Sequence, residues 1–123
     1  MMWPEGIGQV YLAPGVTDMR KSIDGLSALV SAAFELDPFS DAWFVFCGRR
    51  RDRMKILHWD YNGFWLYYRR LEKGRFQWPE KSYSPLCITR RELGWLLDGL
   101  RGGSEKLDRE ISGNLAEPKA CKG

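Results

Sequence analysis

Apolar residues recur along the chain with two different periods. Gln9-Val10-Tyr11-Leu12-Ala13 is a short β-favouring run closed by the turn pair Pro14-Gly15, and it predicts a first strand. The period then lengthens. Met19, Ile23, Leu26, Val30 and Ala33/Phe34 share one face at helical spacing, with Thr17 or Asp18 placed to cap the helix. That face is expected to pack on a sheet. Gly25 costs a helix interior about 1 kcal/mol relative to alanine, so a close approach to another backbone is expected there. Pro38 ends the helix, because the residue before a proline is pushed out of the helical region.

Strand patterns follow. Trp43-Phe44-Val45-Phe46 and Lys55-Ile56-Leu57-His58-Trp59 flank the basic segment Gly48 to Met54, predicting a hairpin with a long arginine-rich tip. Asp60-Tyr61-Asn62-Gly63 carries an Asn-Gly turn signal and leads into Phe64-Trp65-Leu66-Tyr67-Tyr68. Glu72-Lys73-Gly74-Arg75 turns again into Phe76-Gln77-Trp78, giving a three- to four-stranded antiparallel meander closed by Pro79. Thr89-Arg90-Arg91-Glu92 has the form of a capping box, followed by Leu93, Leu96, Leu97 and Leu100 at helical spacing. The fold class predicted is α+β: an N-terminal strand and helix, the meander, then a C-terminal helix. Residues 1–100 are expected to form one domain, and residues 101–123 a polar, flexible tail.

Composition changes this picture little, but charge placement changes it more. The longest apolar runs are far below the roughly 20 residues of a membrane span, and the start lacks the basic and apolar regions of a secretory signal. A cytoplasmic protein is expected. Cys47, Cys87 and Cys121 are odd in number and widely spaced, which argues against a disulfide framework. The formal net charge of +3 is too small to imply a nucleic-acid partner by itself. From Arg49 to Lys81, however, ten lysines or arginines face four acids, Asp52, Asp60, Glu72 and Glu80. The positive charge is concentrated mid-chain.

The candidate chemistry lies there. Arg49, Arg50, Arg51, Arg53 and Lys55 stand on a loop between strands, where guanidinium groups neutralise phosphates and bond them bidentately. Arg69, Arg70, Lys73 and Arg75 extend the same field if the hairpins lie side by side. A solvated loop guarding a sheet edge, or a protein contact, explains the same charges. Both faces of Phe64 to Tyr68 are apolar or aromatic, which fits helices on both faces, a subunit interface, or stacking on unpaired bases. Arg20 and Lys21 near a helix start oppose the macrodipole, so a phosphate or a partner's carboxylate is a physically sensible ligand there; an Arg20 to Asp24 pair is the structural alternative.

No catalytic set stands out. His58 is the single histidine, and with the three cysteines it lacks the short spacings of a zinc site, so no metal and no cofactor are expected. Asp18, Asp24, Asp37, Asp41, Asp52 and Asp60 are as well explained by turns and caps as by a two-metal nuclease. Neither a Gly-x-Ser-x-Gly elbow nor a phosphate-binding Gly-x-x-x-x-Gly-Lys-Ser/Thr loop occurs.

Several motifs in order carry a resemblance. Val10 to Lys21 with Asp24-Gly25-Leu26 resembles the opening signature of the small TnpB-type protein of the insertion-sequence family sixty-six, its second open reading frame. Asp37-Pro38-Phe39-Ser40, Phe44-Val45-Phe46, Arg49-Arg50-Arg51-Asp52, Lys55-Ile56-Leu57, Trp59-Asp60, Arg70 to Phe76 and Trp78-Pro79 are similar to its central signature. Asp41 stands where glycine is more usual and Arg69 where lysine is, and residues 101–123 match no pattern of the family. The resemblance implies an accessory protein for DNA transposition, not an enzyme, encoded beside a separate transposase that carries the catalytic acids. Its expected partners are the DNA of the element ends, the transposase or the other accessory protein. A homo-oligomer is compatible with this, whereas no membrane or small-molecule substrate is expected. Two rival readings are a pure protein-interaction subunit and a metal-dependent nuclease.

Overall fold

The computed structural model describes residues 9–79 and 84–98. Seven elements follow in chain order: β1 (Val10–Leu12), α1 (Ile23–Ala32), β2 (Trp43–Cys47), β3 (Arg53–Asp60), β4 (Gly63–Arg70), β5 (Leu86–Ile88) and α2 (Arg90–Asp98). The strands form one sheet in the order β4-β3-β2-β1-β5. It is a mixed sheet. β1 runs parallel to β2, with Tyr11 beside Phe44, whereas β2–β3, β3–β4 and β1–β5 are antiparallel. The α+β class holds, and β2, β3 and β4 form a three-stranded antiparallel meander, but β1, parallel to β2, and β5 extend it into a mixed sheet.

Alternation along the strands sorts side chains to two buried layers. On one face Leu12, Trp43, Val45, Met54 and Ile56 meet Leu93, Leu96 and Leu97 of α2. On the other Tyr11, Phe44, Phe46 and Leu57 meet Leu26 and Val30 of α1. A central strand buried on both faces must be apolar throughout, which is why all five residues of β2 are buried. Cys47 lies in that strand as a free, buried thiol, and burial pushes its pKa up to about 12.

Helix α1 begins later than its apolar period suggests. Ser22 is the N-cap and Leu26 N–H donates to its carbonyl at 2.9 Å, so Thr17 to Lys21 form a loop ahead of the helix. The helix also closes before Pro38: Glu35 takes a left-handed φ of 54° and Leu36 N–H reaches the Val30 carbonyl at 3.1 Å. Gly25 approaches no foreign backbone. A β-carbon there would meet Lys21 Cβ at 3.2 Å, so the close neighbour is the lysine stem of the preceding loop.

The capping box of α2 is formed as read. Thr89 N–H donates to Glu92 Oε1 at 3.0 Å, and Glu92 N–H donates to Thr89 Oγ1 at 3.1 Å. Phe76-Gln77-Trp78 is not a strand. Phe76 and Trp78 are buried in the α2-side layer, while Trp78 Nε1 donates to the Ala13 carbonyl at 2.9 Å and Phe76 N–H to the Arg51 carbonyl at 2.6 Å. The tail expected over 101–123 lies outside the described residues. Among the described residues, no helix is long and apolar enough to cross a membrane.

Candidate nucleic-acid interface

Parallel pairing of β1 and β2 puts their carboxyl ends at one edge of the molecule. Antiparallel pairing brings the start of β3 and the end of β4 to the same edge, where Arg53 stands opposite Arg70. Three basic loops therefore converge: Asp18 to Lys21 after β1, Gly48 to Asp52 after β2, and Leu71 to Arg75 after β4. In open sheets with parallel strands, ligands bind outside such carboxyl ends.

Backbone bonds hold the first two loops together. Ala13 N–H donates to the Val45 carbonyl and Thr17 N–H to the Cys47 carbonyl, each at 2.9 Å, so the chain after β1 keeps following β2. Met19 then packs on the turn. A β-carbon on Gly48 would lie 2.6 Å from Met19 Cγ, and only a glycine admits that approach with Met19 where it is. Lys55 completes the attachment by donating from Nζ to the carbonyls of Met19 and Lys21, both at 2.8 Å.

The arginine turn is tighter than the expected long tip. Arg51 N–H donates to the Gly48 carbonyl at 3.0 Å, Gly48 N–H to the Arg53 carbonyl at 3.0 Å, and β3 resumes at Arg53, two residues earlier than read. Arg51 has a φ of 61° and turns inward, where Nη1 donates to the Trp78 carbonyl at 2.9 Å. Asp52 Oδ1 is buried with no hydrogen-bond partner among the described residues. Arg49, Arg50 and Arg53 remain exposed, and none of them makes an ion pair among the described residues.

A cavity of about 710 Å³ joins the two loops, lined by Val16 to Arg20 on one side and by Gly48, Arg49, Arg50, Asp52 and Arg53 on the other. Arg20 enters it paired with Asp18. Its Nε and Nη2 bond the carboxylate at 2.9 to 3.2 Å, and its backbone N–H adds a bond at 2.9 Å. These bonds hold the Asp18 carboxyl down at about 2. The partner is thus Asp18, not the Asp24 considered from helical spacing. Because Arg20 precedes the N-cap, its expected position inside the first helical turn is also corrected.

The eleven candidate cations divide by what they touch. Arg20, Lys21, Arg49, Arg50 and Arg53 meet at the two joined loops, while Arg51 and Lys55 bond backbone carbonyls there. Arg69 turns to the opposite face and donates from Nε to the Leu97 carbonyl at 2.7 Å, near the end of α2. Arg70 pairs with Glu72 at 2.9 Å in the open. Lys73 and Arg75 are exposed on the loop after β4, around Gly74 with its φ of 82°. Sequence reading missed the role of Thr17 and Met19, whose contacts with Cys47 and Gly48 join residues far apart in the chain. It also placed no weight on Asp18 as a partner for Arg20. Among the described residues, no three His, Cys, Asp or Glu side chains gather as metal ligands would.

These features define a small α+β domain with a cationic rim built by the loops at one end of a mixed sheet. Residues 8–106 match the family of IS66 Orf2 like proteins, and the chain belongs to that family. Membership associates it with insertion-sequence transposition. It is similar to two proteins of Sinorhizobium fredii. Uncharacterized protein y4hO is 35% identical over 100 residues, covering 80% of this chain and 87% of that protein. Uncharacterized protein y4jC is 33% identical over 100 residues, covering 81% and 86%. No solved structure matches.

Proposed function

We propose that the protein is a non-enzymatic, cytoplasmic accessory factor of transposition that holds the phosphates of element DNA with Arg20, Lys21, Arg49, Arg50 and Arg53. The observation that carries this reading is the joining of the two basic loops around one cavity, by the Thr17–Cys47 bond, the Met19–Gly48 contact and Lys55. Cations clustered at one rim act together on a polyanion, and each phosphate they neutralise releases counterions. The test is affinity for duplex element-end DNA across a series of salt concentrations. Replacing Arg49, Arg50 and Arg53 by alanine is expected to weaken binding to all sequences alike and to lower the log–log salt slope by about 0.9 per lost contact. An unchanged slope with an intact fold removes the phosphate role.

A second reading has its own observation. Among the described residues β4 is an edge strand of the sheet, eight residues long and carrying the half-exposed Trp65, and such an edge accepts a strand from a protein partner. The transposase or the other accessory protein is the partner in that reading. It is favoured if the transposase is retained by the wild-type protein without DNA and the salt-sensitive DNA affinity is absent.

A further inference from the structure

Tyr68 lies on the α1 side of β4 with about half of its surface exposed. A single exposed aromatic residue is ordinary on a protein surface. Its surroundings are what single it out. Arg70, two residues on, shares its face of the strand; Arg53 stands opposite Arg70, and Lys55 opposite Tyr68. The Lys55 ammonium sits over the ring at 5.9 Å from its centroid and is itself fixed by the carbonyls of Met19 and Lys21. An open aromatic surface is thereby anchored between the loop that carries Arg20 and the strand ends that carry Arg53 and Arg70.

We propose that this face binds single-stranded DNA, with an unpaired base stacked on Tyr68 and the flanking phosphates held by Arg53, Arg70 and the two basic loops. The inference rests on the DNA reading above and narrows it. A cationic rim alone would serve duplex and single strand equally. A duplex, however, hides the π-faces of its bases except at its ends, whereas a single strand offers one at every nucleotide. The local charge selects a polyanion over an apolar or cationic partner, because the exposed cations Arg20, Lys21, Arg49, Arg50, Arg53 and Arg70 outnumber the nearby carboxylates Asp18, Asp52 and Glu72.

The test is fluorescence anisotropy of the full chain with a labelled mixed-sequence oligonucleotide, alone and annealed to its complement, at fixed salt. Single-stranded DNA is expected to bind at least several-fold tighter than the duplex. Tyr68→Phe keeps that affinity, while Tyr68→Thr, which suits a strand but has no ring, loses about tenfold for the single strand and leaves duplex binding within about twofold. Ultraviolet cross-linking of the wild-type protein to a bromodeoxyuridine oligonucleotide, mapped by mass spectrometry, is expected to mark Tyr68 and needs no variant to fold. Equal affinity for both forms, full single-strand affinity in Tyr68→Thr, or cross-links confined to other segments overturns the stacking proposal. If duplex binding still depends on Arg49, Arg50 and Arg53, the DNA reading survives that loss. If neither form binds, both readings fall and the surface belongs to a protein partner.

Discussion

Its place in the sequence groups Lys55 with the arginines proposed to hold phosphate, yet its ammonium faces two backbone carbonyls of the loop after β1. Lys55→Met separates these roles, since it retains an unbranched apolar stem and removes both donations. A hydrogen bond to a charged group contributes about 1.5–3 kcal/mol. The bond to Met19 is partly buried and the bond to Lys21 is exposed, so solvent reduces the second to a small share. The loss expected is about 2 kcal/mol. With a urea m-value of about 1.5 kcal/mol/M, the unfolding midpoint falls by about 1.3 M. Tryptophan fluorescence follows the transition well, because Trp43 and Trp78 are buried. Amide exchange supplies a local readout: the Thr17 and Lys21 N–H groups, bonded to Cys47 and Asp18 carbonyls, are expected to exchange faster once the loop is released. A midpoint within about 0.3 M of the wild type, combined with a salt slope for DNA lowered by about 0.9, would refute the structural role and return Lys55 to the phosphate contacts.

Two further outcomes concern single groups. The Asp18 carboxyl is expected to titrate near 2 rather than 3.8 by carbon-detected NMR, and to return toward 3.8 in Arg20→Ala. Because the folded value is depressed, the pair's contribution is complete above 3.8 and is lost as pH falls through about 2; wild-type titration at 3.8 would show that the pair does not form in solution. Thr89→Ala removes the hydroxyl that accepts Glu92 N–H, and a loss of about 1 kcal/mol is expected in urea unfolding. No loss would mean that burial of Leu93 and Leu96, without the cap, sets the start of α2.

What the sequence made legible was local. The capping box needs only Thr89 and Glu92, four positions inclusive, and was read without the fold. Strands β2, β3 and β4 announced themselves by aromatic and β-branched runs. The errors occur where a distant contact decides. Met19 fits the helical period of α1, but its side chain fills the space above Gly48, so the loop continues to Ser22. Phe76-Gln77-Trp78 looks like a strand, yet its two rings enter the α2-side layer while its backbone and indole bond to Arg51 and Ala13. β5 is three residues long, too short for any period to register, and exists by pairing with β1. The turn at β4 shifted by one residue for a similar reason. Cross-strand pairing of Asp60 with Gly63 leaves Tyr61 and Asn62 as the loop, with the positive φ of 57° on Tyr61 instead of on the glycine.

For Arg20 the structure removes the premise on which the sequence singles it out. Its position looked unfavourable because a cation was placed in the first turn of a helix, but the helix starts three residues later and that penalty does not apply to a residue ahead of its N-cap. The anomaly lies elsewhere. Arg20 shares one cavity with Arg49, Arg50 and Arg53, and like charges gathered at a surface oppose folding unless something offsets them. Asp18 offsets one guanidinium and orients it, while Asp52 turns one carboxylate oxygen into the protein, with no hydrogen-bond partner for it among the described residues. Among the described residues, Arg49, Arg50 and Arg53 of that cavity form no ion pair, and Asp52 is the carboxylate beside them. An anion bound there would offset the gathered charge, which is the physical reason for proposing the phosphate surface at this end of the sheet.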